Sequence, residues 1–196
     1  MIFLGNPAVG KTSIVNRAIY DNVESEYEPT IAVDYFTKVV QVDGKSVSLQ
    51  VMDTAGQEKF NSILPSYIRN AAVVVLVFDI TSKPSFDELD KWYKLARGGT
   101  DGAVIVVGNK ADLELSREVN GADAFKFSSS VGADFIETST VTPINITELF
   151  DLIARTAIQT SEKIPNTQAV KLPKNSLPPD LTQTDSSPRI QSKCSC

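Results

Sequence analysis

The chain of 196 residues contains no histidine, one tryptophan, two methionines and two cysteines. Without histidine there is no Ser-His-Asp or Cys-His catalysis and no His-ligated metal. Both cysteines, Cys194 and Cys196, fall within the last three residues. A disulfide-stapled secreted domain spreads its cysteines through the core, so the body reads as suited to a reducing compartment. Long hydrophobic runs are missing too. The longest, Ala71 to Phe78, is far short of the ~20 residues that a membrane-spanning helix needs. The opening MIFLGNPAVGKTS lacks the basic region and apolar stretch of a secretory signal. Positive charge is in deficit, 19 Lys+Arg against 24 Asp+Glu, which argues against a general nucleic-acid binder. The folded part is therefore expected to be cytoplasmic. The Asn145-Ile146-Thr147 sequon reads as accidental, because nothing directs the chain to a lumen.

What is present is a core-forming body and a polar tail. Hydrophobic residues make up 42% of the chain, enough for a packed domain. From residue 163 the composition shifts to Pro, Ser, Thr, Gln and Asn, with five Lys or Arg against two Asp. Such a segment cannot bury enough surface to offset its ordering entropy. The reading is a folded domain over 1–162 and a disordered tail over 163–196. The tail carries a net +3 and the body −8.

Within the body, strands and helices alternate. Ile2-Phe3-Leu4 is a short apolar strand, and Thr12 to Tyr20 has apolar residues at helical spacing. Phe36–Val42 and Ser46–Met52 are β-rich and flank Asp43-Gly44, a hairpin signal. Val73–Phe78 and Ala103–Val107 are unbroken apolar runs, as for strands buried on both faces. Pro84–Arg97 reads as a helix ended by Gly98-Gly99, Asp134–Glu137 as a last strand and Ile146–Gln159 as a last helix. The order predicts an α/β fold: a mostly parallel six-stranded sheet with one antiparallel edge strand and helices on both faces.

Gly5-Asn6-Pro7-Ala8-Val9-Gly10-Lys11-Thr12 fits G-x-x-x-x-G-K-[ST] between a strand and a helix. Gly5 and Gly10 permit backbone conformations that turn successive N–H groups toward one anion, and the helix N-terminus adds its dipole. Lys11 supplies charge to the β/γ-phosphates, and the Thr12 hydroxyl is a ligand for Mg²⁺. Ser13 completes the phosphate-binding set. Asn109-Lys110-Ala111-Asp112 selects the base. The Asp112 carboxylate matches the N1–H and exocyclic amine of guanine, whereas adenine leaves it unpaired. Lys110 can lay its stem along the base. Asp53-Thr54-Ala55-Gly56-Gln57-Glu58 follows a strand. In it Asp53 can hold Mg²⁺ through water, Gly56 can face the γ-phosphate and Gln57 can orient an attacking water. Thr30 can complete the Mg²⁺ shell only when a γ-phosphate is present, which orders its loop in one nucleotide state.

These four motifs together resemble the small GTPase superfamily over roughly residues 1–162, and within it the Rab family. Ile31-Ala32-Val33-Asp34-Tyr35 looks like I-G-V-D-F, Ser48–Met52 like K-L-Q-I-W, and Lys59-Phe60-Asn61-Ser62-Ile63 like R-F-R-S-I. Tyr67–Ala71 is similar to Y-Y-R-G-A and Leu76–Thr81 to L-V-Y-D-I-T. The resemblance implies the P-loop GTPase fold, a monomeric G domain and a GTP/GDP switch of vesicle traffic that hydrolyses GTP slowly without an activating protein. It implies that Ile31–Tyr35 and Lys59–Ala71, with Phe60 and Tyr67, are read by effectors, an exchange factor, an activating protein and a dissociation inhibitor or escort protein. Glu137-Thr138-Ser139-Thr140-Val141 resembles E-T-S-A-K, which places Ser139, Thr140 and Val141 with Asn109, Lys110 and Asp112 at the guanine. Cys194-Ser195-Cys196 matches the C-x-C ending, which implies two geranylgeranyl groups and stable anchoring. The expected location is the cytoplasmic side of an intracellular membrane, in exchange with cytosol.

Several positions depart from the family pattern. The first strand is short for the family, and the natural start is expected upstream. Pro7 removes one loop N–H and fixes φ, so an alternative is a GTP-holding effector platform with impaired hydrolysis. Val23 replaces the aromatic over the guanine, Val141 the Lys of E-T-S-A-K and Met52 the Trp of K-L-Q-I-W. The changes at Val23 and Val141 predict weaker or faster-exchanging nucleotide, and Met52 predicts unusual effector recognition on its surface.

Overall fold

A computed structural model describes residues 1–20, 33–54 and 64–163. These lie within one unit, Met1–Pro165. Val23, Thr30, Ile31, Ala32, Gly56, Gln57, Phe60, Cys194 and Cys196 fall outside the described residues, as does the proposed tail from 164 onward. Val33 and Asp34 are described by their backbone alone.

The elements run β1 (Ile2–Leu4), α1 (Lys11–Tyr20), β2 (Val33–Val42), β3 (Lys45–Thr54), α2 (Leu64–Ile68), β4 (Val73–Asp79), α3 (Lys83–Asp87), α4 (Leu89–Arg97), β5 (Ala103–Asn109), α5 (Gly121–Ser130), β6 (Asp134–Thr138) and α6 (Ile146–Lys163). A 3-10 turn, Ala111–Ser116, follows β5. The strands form one six-stranded sheet in the order β2-β3-β1-β4-β5-β6. The β2–β3 pair is antiparallel and every other pairing is parallel. This is the mixed α/β architecture expected from the alternating pattern.

Local chemistry explains the elements. Asp43 and Gly44 both have positive φ, 51° and 75°, which gives the tight turn whose twist suits a two-residue hairpin. All seven residues of β4 are buried, and successive side chains feed opposite faces of the sheet. Phe3, Val75 and Val77 pack with Ile14 and Val15 of α1 and with Phe150 and Ile153 of α6. Leu4, Val74, Leu76 and Phe78 pack on the other face with Ile68, Leu89 and Trp92. Helices therefore cover both faces, and the core is two apolar layers with the sheet between them.

The helix expected over Pro84–Arg97 is divided at Glu88, where φ is −83° and ψ is −3°. The Ser85 hydroxyl donates to Ser82 O and accepts from the backbone N–H of Asp79. These bonds fasten the first turn to the end of β4, and the loosened ψ at Glu88 lets the second segment bury Leu89, Trp92 and Ala96. The last helix runs on to Lys163 rather than stopping at Gln159. Because β1, β3, β4, β5 and β6 run parallel, their last residues, Leu4, Thr54, Asp79, Asn109 and Thr138, lie at one sheet edge, where ligands bind in open α/β folds.

Candidate functional site

The loop after β1 is shaped by left-handed backbone at three positions: Gly5 (φ 146°), Ala8 (φ 61°) and Gly10 (φ 93°). The two glycines are also demanded by their neighbours. A Cβ on Gly5 would lie 2.2 Å from Val77 O, and one on Gly10 would lie 2.2 Å from Asn109 Nδ2. Ala8 holds its conformation despite a Cβ, a local strain of the kind that collects at functional loops.

Lys11 begins α1 and is buried. Its Nζ donates to Gly5 O at 3.0 Å and to Asn6 O at 2.8 Å, so the ammonium sits inside the arch of its own loop. Burial pushes its pKa down from 10.5 to about 8, and the nearby Asp53 charge partly offsets this. A bound polyanion would add negative charge to that of Asp53 and further favour the ammonium form. The next residue, Thr12, donates its hydroxyl to Asp53 Oδ2 at 2.6 Å. Asp53 is fully buried near the end of β3. Beside it the Thr54 hydroxyl donates to Phe3 O at 2.7 Å, which ties the end of β3 to β1.

A hydroxyl and a carboxylate in contact are hard oxygen donors that fit Mg²⁺. Among the described residues no group of three or more His, Cys, Asp or Glu is placed so that it could hold a metal ion. The donor set thus suits Mg²⁺ with a nucleotide.

The second half of the site follows β5 and β6. Asn109, expected among the guanine-binding residues, is buried with its carboxamide engaged inside the protein. Its Nδ2 donates to Val9 O at 2.9 Å and its Oδ1 accepts from the Thr138 hydroxyl at 3.1 Å. Lys110 has left-handed backbone (φ 67°), and its Nζ pairs with Asp79 Oδ2 at 2.6 Å. Asp79 Oδ1 accepts from both the N–H and the hydroxyl of Thr81. Asp112 lies in the 3-10 turn and accepts the Ser139 hydroxyl at 2.5 Å. Ser139 pairs its backbone with Ile144, which closes a short loop; Thr140 is buried in it and Val141 is exposed. Asn145 donates to Glu137 O from a left-handed conformation, so the sequon amide is committed to holding this loop.

The structure thus brings Gly5–Ser13, Asp53, Asn109–Asp112 and Ser139–Val141 to one sheet edge. It also supplies residues that pattern reading missed. Arg117 binds Glu114 and Glu137 at once, with bonds of 2.7–3.0 Å, and joins the segment carrying Asp112 to β6. Asp79 holds Lys110, and Trp92 reaches Asn6. Arg117 and Trp92 belong to no motif, Asp79 lies in the Leu76–Thr81 segment without a role of its own there, and only the fold supplies the partner of each.

Of the expected regulator-reading surface, Tyr35 at the start of β2 is exposed and meets the half-buried Tyr67 of α2 edge-on, ring centres 6.1 Å apart. Partial desolvation and the bond to Tyr67 push the Tyr35 hydroxyl up to about 12. Residues 1–159 match the sequence model of the Ras family.

Proposed function

The chain belongs to the Ras family of small GTPases, and on that premise we propose that it is a Rab-like GTP/GDP switch in vesicle traffic. One observation carries the nucleotide reading. A single sheet edge holds an anion-cradling loop with a buried Lys11, the Thr12–Asp53 oxygen pair and the Asp112 carboxylate. A guanosine triphosphate has the phosphates, the bound cation and the donor edge that those three features match. Thr12, Asp53 and Thr30 would hold Mg²⁺, which when bound would supply neutralisation of phosphate charge. Lys11 and the loop backbone hold the phosphates, and Gln57 orients water for hydrolysis to GDP and phosphate. The sequence supplies no obvious arginine finger in cis, so turnover is slow until an activating protein provides one.

The Rab assignment rests on the Ile31–Tyr35, Ser48–Met52, Lys59–Ala71 and Leu76–Thr81 segments and on Cys194-Ser195-Cys196. Exchange factor, activating protein and effectors then read the switch surface. A dissociation inhibitor or escort protein moves the lipidated chain between cytosol and the cytoplasmic face of an intracellular membrane. Two lipid chains give stable anchoring where one does not.

Two experiments test this reading. Asp112→Asn exchanges an acceptor for a donor at the base edge, and nucleotide preference should move from guanine toward xanthine; unchanged preference refutes the base assignment. Full-length chain should localise to an organelle membrane, and the Cys194→Ser/Cys196→Ser chain should be cytosolic. Membrane association of both refutes lipid anchoring.

A second reading, a GTP-holding effector platform, is favoured by Pro7, which is exposed on the rim of the loop and offers a ring in place of an N–H. Single-turnover hydrolysis with and without an activating protein separates the two. Stimulated turnover that rises in Pro7→Gly supports the platform reading of the natural chain, and equal turnover rejects it.

A further inference from the structure

The chain's only tryptophan is spent on the phosphate loop. Trp92 is buried on α4, and its indole N–H donates to Asn6 Oδ1 at 2.7 Å across a separation of 86 residues. A buried indole N–H requires an acceptor, and here the acceptor is the second residue of the loop. The backbone carbonyl of that same Asn6 accepts Lys11 Nζ at 2.8 Å. One residue thus carries a brace on its side chain and the catalytic cation on its backbone.

Among the described residues, two side chains from elsewhere in the fold hold the stretch Asn6–Val9. On the β5 side Asn109 Nδ2 holds Val9 O. On the α4 side Trp92 holds Asn6. Between them lies Pro7, which adds no N–H and confines Asn6 to extended backbone. With Asn6 confined by its neighbour and its carboxamide held by the indole, its carbonyl has little freedom, and the position of Lys11 follows from it.

We propose that Trp92 is a positioning residue for the phosphate loop: its indole N–H fixes Asn6, whose carbonyl sets Lys11 against the nucleotide phosphates, so that α4 controls how long nucleotide stays bound. This deepens the guanine-nucleotide reading and rests on it for the identity of the ligand. Packing alone does not call for the indole nitrogen, since a Phe ring fills most of the same apolar space without the N–H.

The test is a double-mutant cycle on the full chain. Trp92→Phe deletes the donor and Asn6→Leu deletes the acceptor. GDP dissociation should quicken about fivefold in each single variant, the size of one net hydrogen bond. The double variant should be no faster than either single, because the interaction is already gone. Guanine-over-hypoxanthine preference should stay at the wild-type value, since the base contacts are untouched, a separation that general loosening of the fold would not give. Wild-type dissociation rates in both singles, or single effects that multiply in the double, overturn the inference. A second readout is independent of the ligand: the indole proton of Trp92 should exchange faster with solvent in Asn6→Leu than in wild type. Equal protection in both overturns the inference even in a chain whose two singles release nucleotide quickly. A wild-type chain that holds no guanine nucleotide refutes the functional reading alone, and the indole exchange still decides the brace.

Discussion

Asn109 Nδ2 lies 2.9 Å from Val9 O, so two segments one hundred residues apart share one buried hydrogen bond. The same carboxamide accepts the Thr138 hydroxyl. Asn109 therefore joins the phosphate loop to the strand that leads into Ser139 and Thr140. Its value lies in holding the two halves of the site in register. Asn109→Ala leaves a buried carbonyl and a buried hydroxyl short of a partner. The expected cost is about 1–3 kcal/mol of folding stability by urea denaturation, with faster loss of bound nucleotide. Stability equal to wild type would show that neither bond matters.

Lys11 predicts a pH dependence with a definite sign. Its folded value of about 8 lies below the 10.5 of the free side chain because the ammonium is buried. Between those two values the unfolded chain binds more protons than the folded chain, so stability without nucleotide rises with pH in that window. Nucleotide affinity moves the other way and weakens as pH climbs through about 8, because the phosphates lose their cation. The difference between wild type and Lys11→Met, measured by thermal unfolding from pH 7 to 10, isolates this group. Identical pH profiles would remove Lys11 as the cause.

Arg117 predicts an asymmetry between its two carboxylates. Glu137 is partly buried and belongs to β6, whereas Glu114 is exposed on the 3-10 turn. The guanidinium is held protonated first by Glu137 and then by Glu114. Arg117→Ala should cost about 1–2 kcal/mol and quicken nucleotide release by loosening the segment that carries Asp112. Glu114→Ala should leave the unfolding midpoint near wild type, since solvent screens an exposed pair. Equal effects from the two substitutions would reject the ordering.

The parts of this molecule that could be read in advance are those whose cause is local. Asp43-Gly44 dictates a hairpin turn, the Val73–Phe78 run dictates a strand buried on both faces, and Gly5 to Thr12 encodes its own arch. What stayed hidden depends on distant partners. Nothing near Trp92 or Arg117 in the chain announces Asn6 or Glu137, and nothing in Asn109 announces that its carboxamide faces Val9 and Thr138. The division of the Pro84–Arg97 helix at Glu88 has the same origin, a serine of the first turn bound to the end of β4.

Ala8 tests whether loop shape or loop chemistry sets the site. It holds φ of 61° without being glycine, at a cost of roughly 1–2 kcal/mol for an L-residue. Ala8→Gly removes that strain and also gives the unfolded chain more freedom to lose; the strain is the larger effect, so the variant should be slightly more stable than the parent. Ala8→Val adds a branched side chain to the same left-handed backbone, where the chain has no easy escape between Pro7 and the buried Val9. Its unfolding midpoint should fall well below that of Ala8→Gly, and its nucleotide should dissociate faster than in either parent or glycine variant. If Ala8→Val bound nucleotide as well as Ala8→Gly, the left-handed turn at this position would not be what shapes the anion cradle.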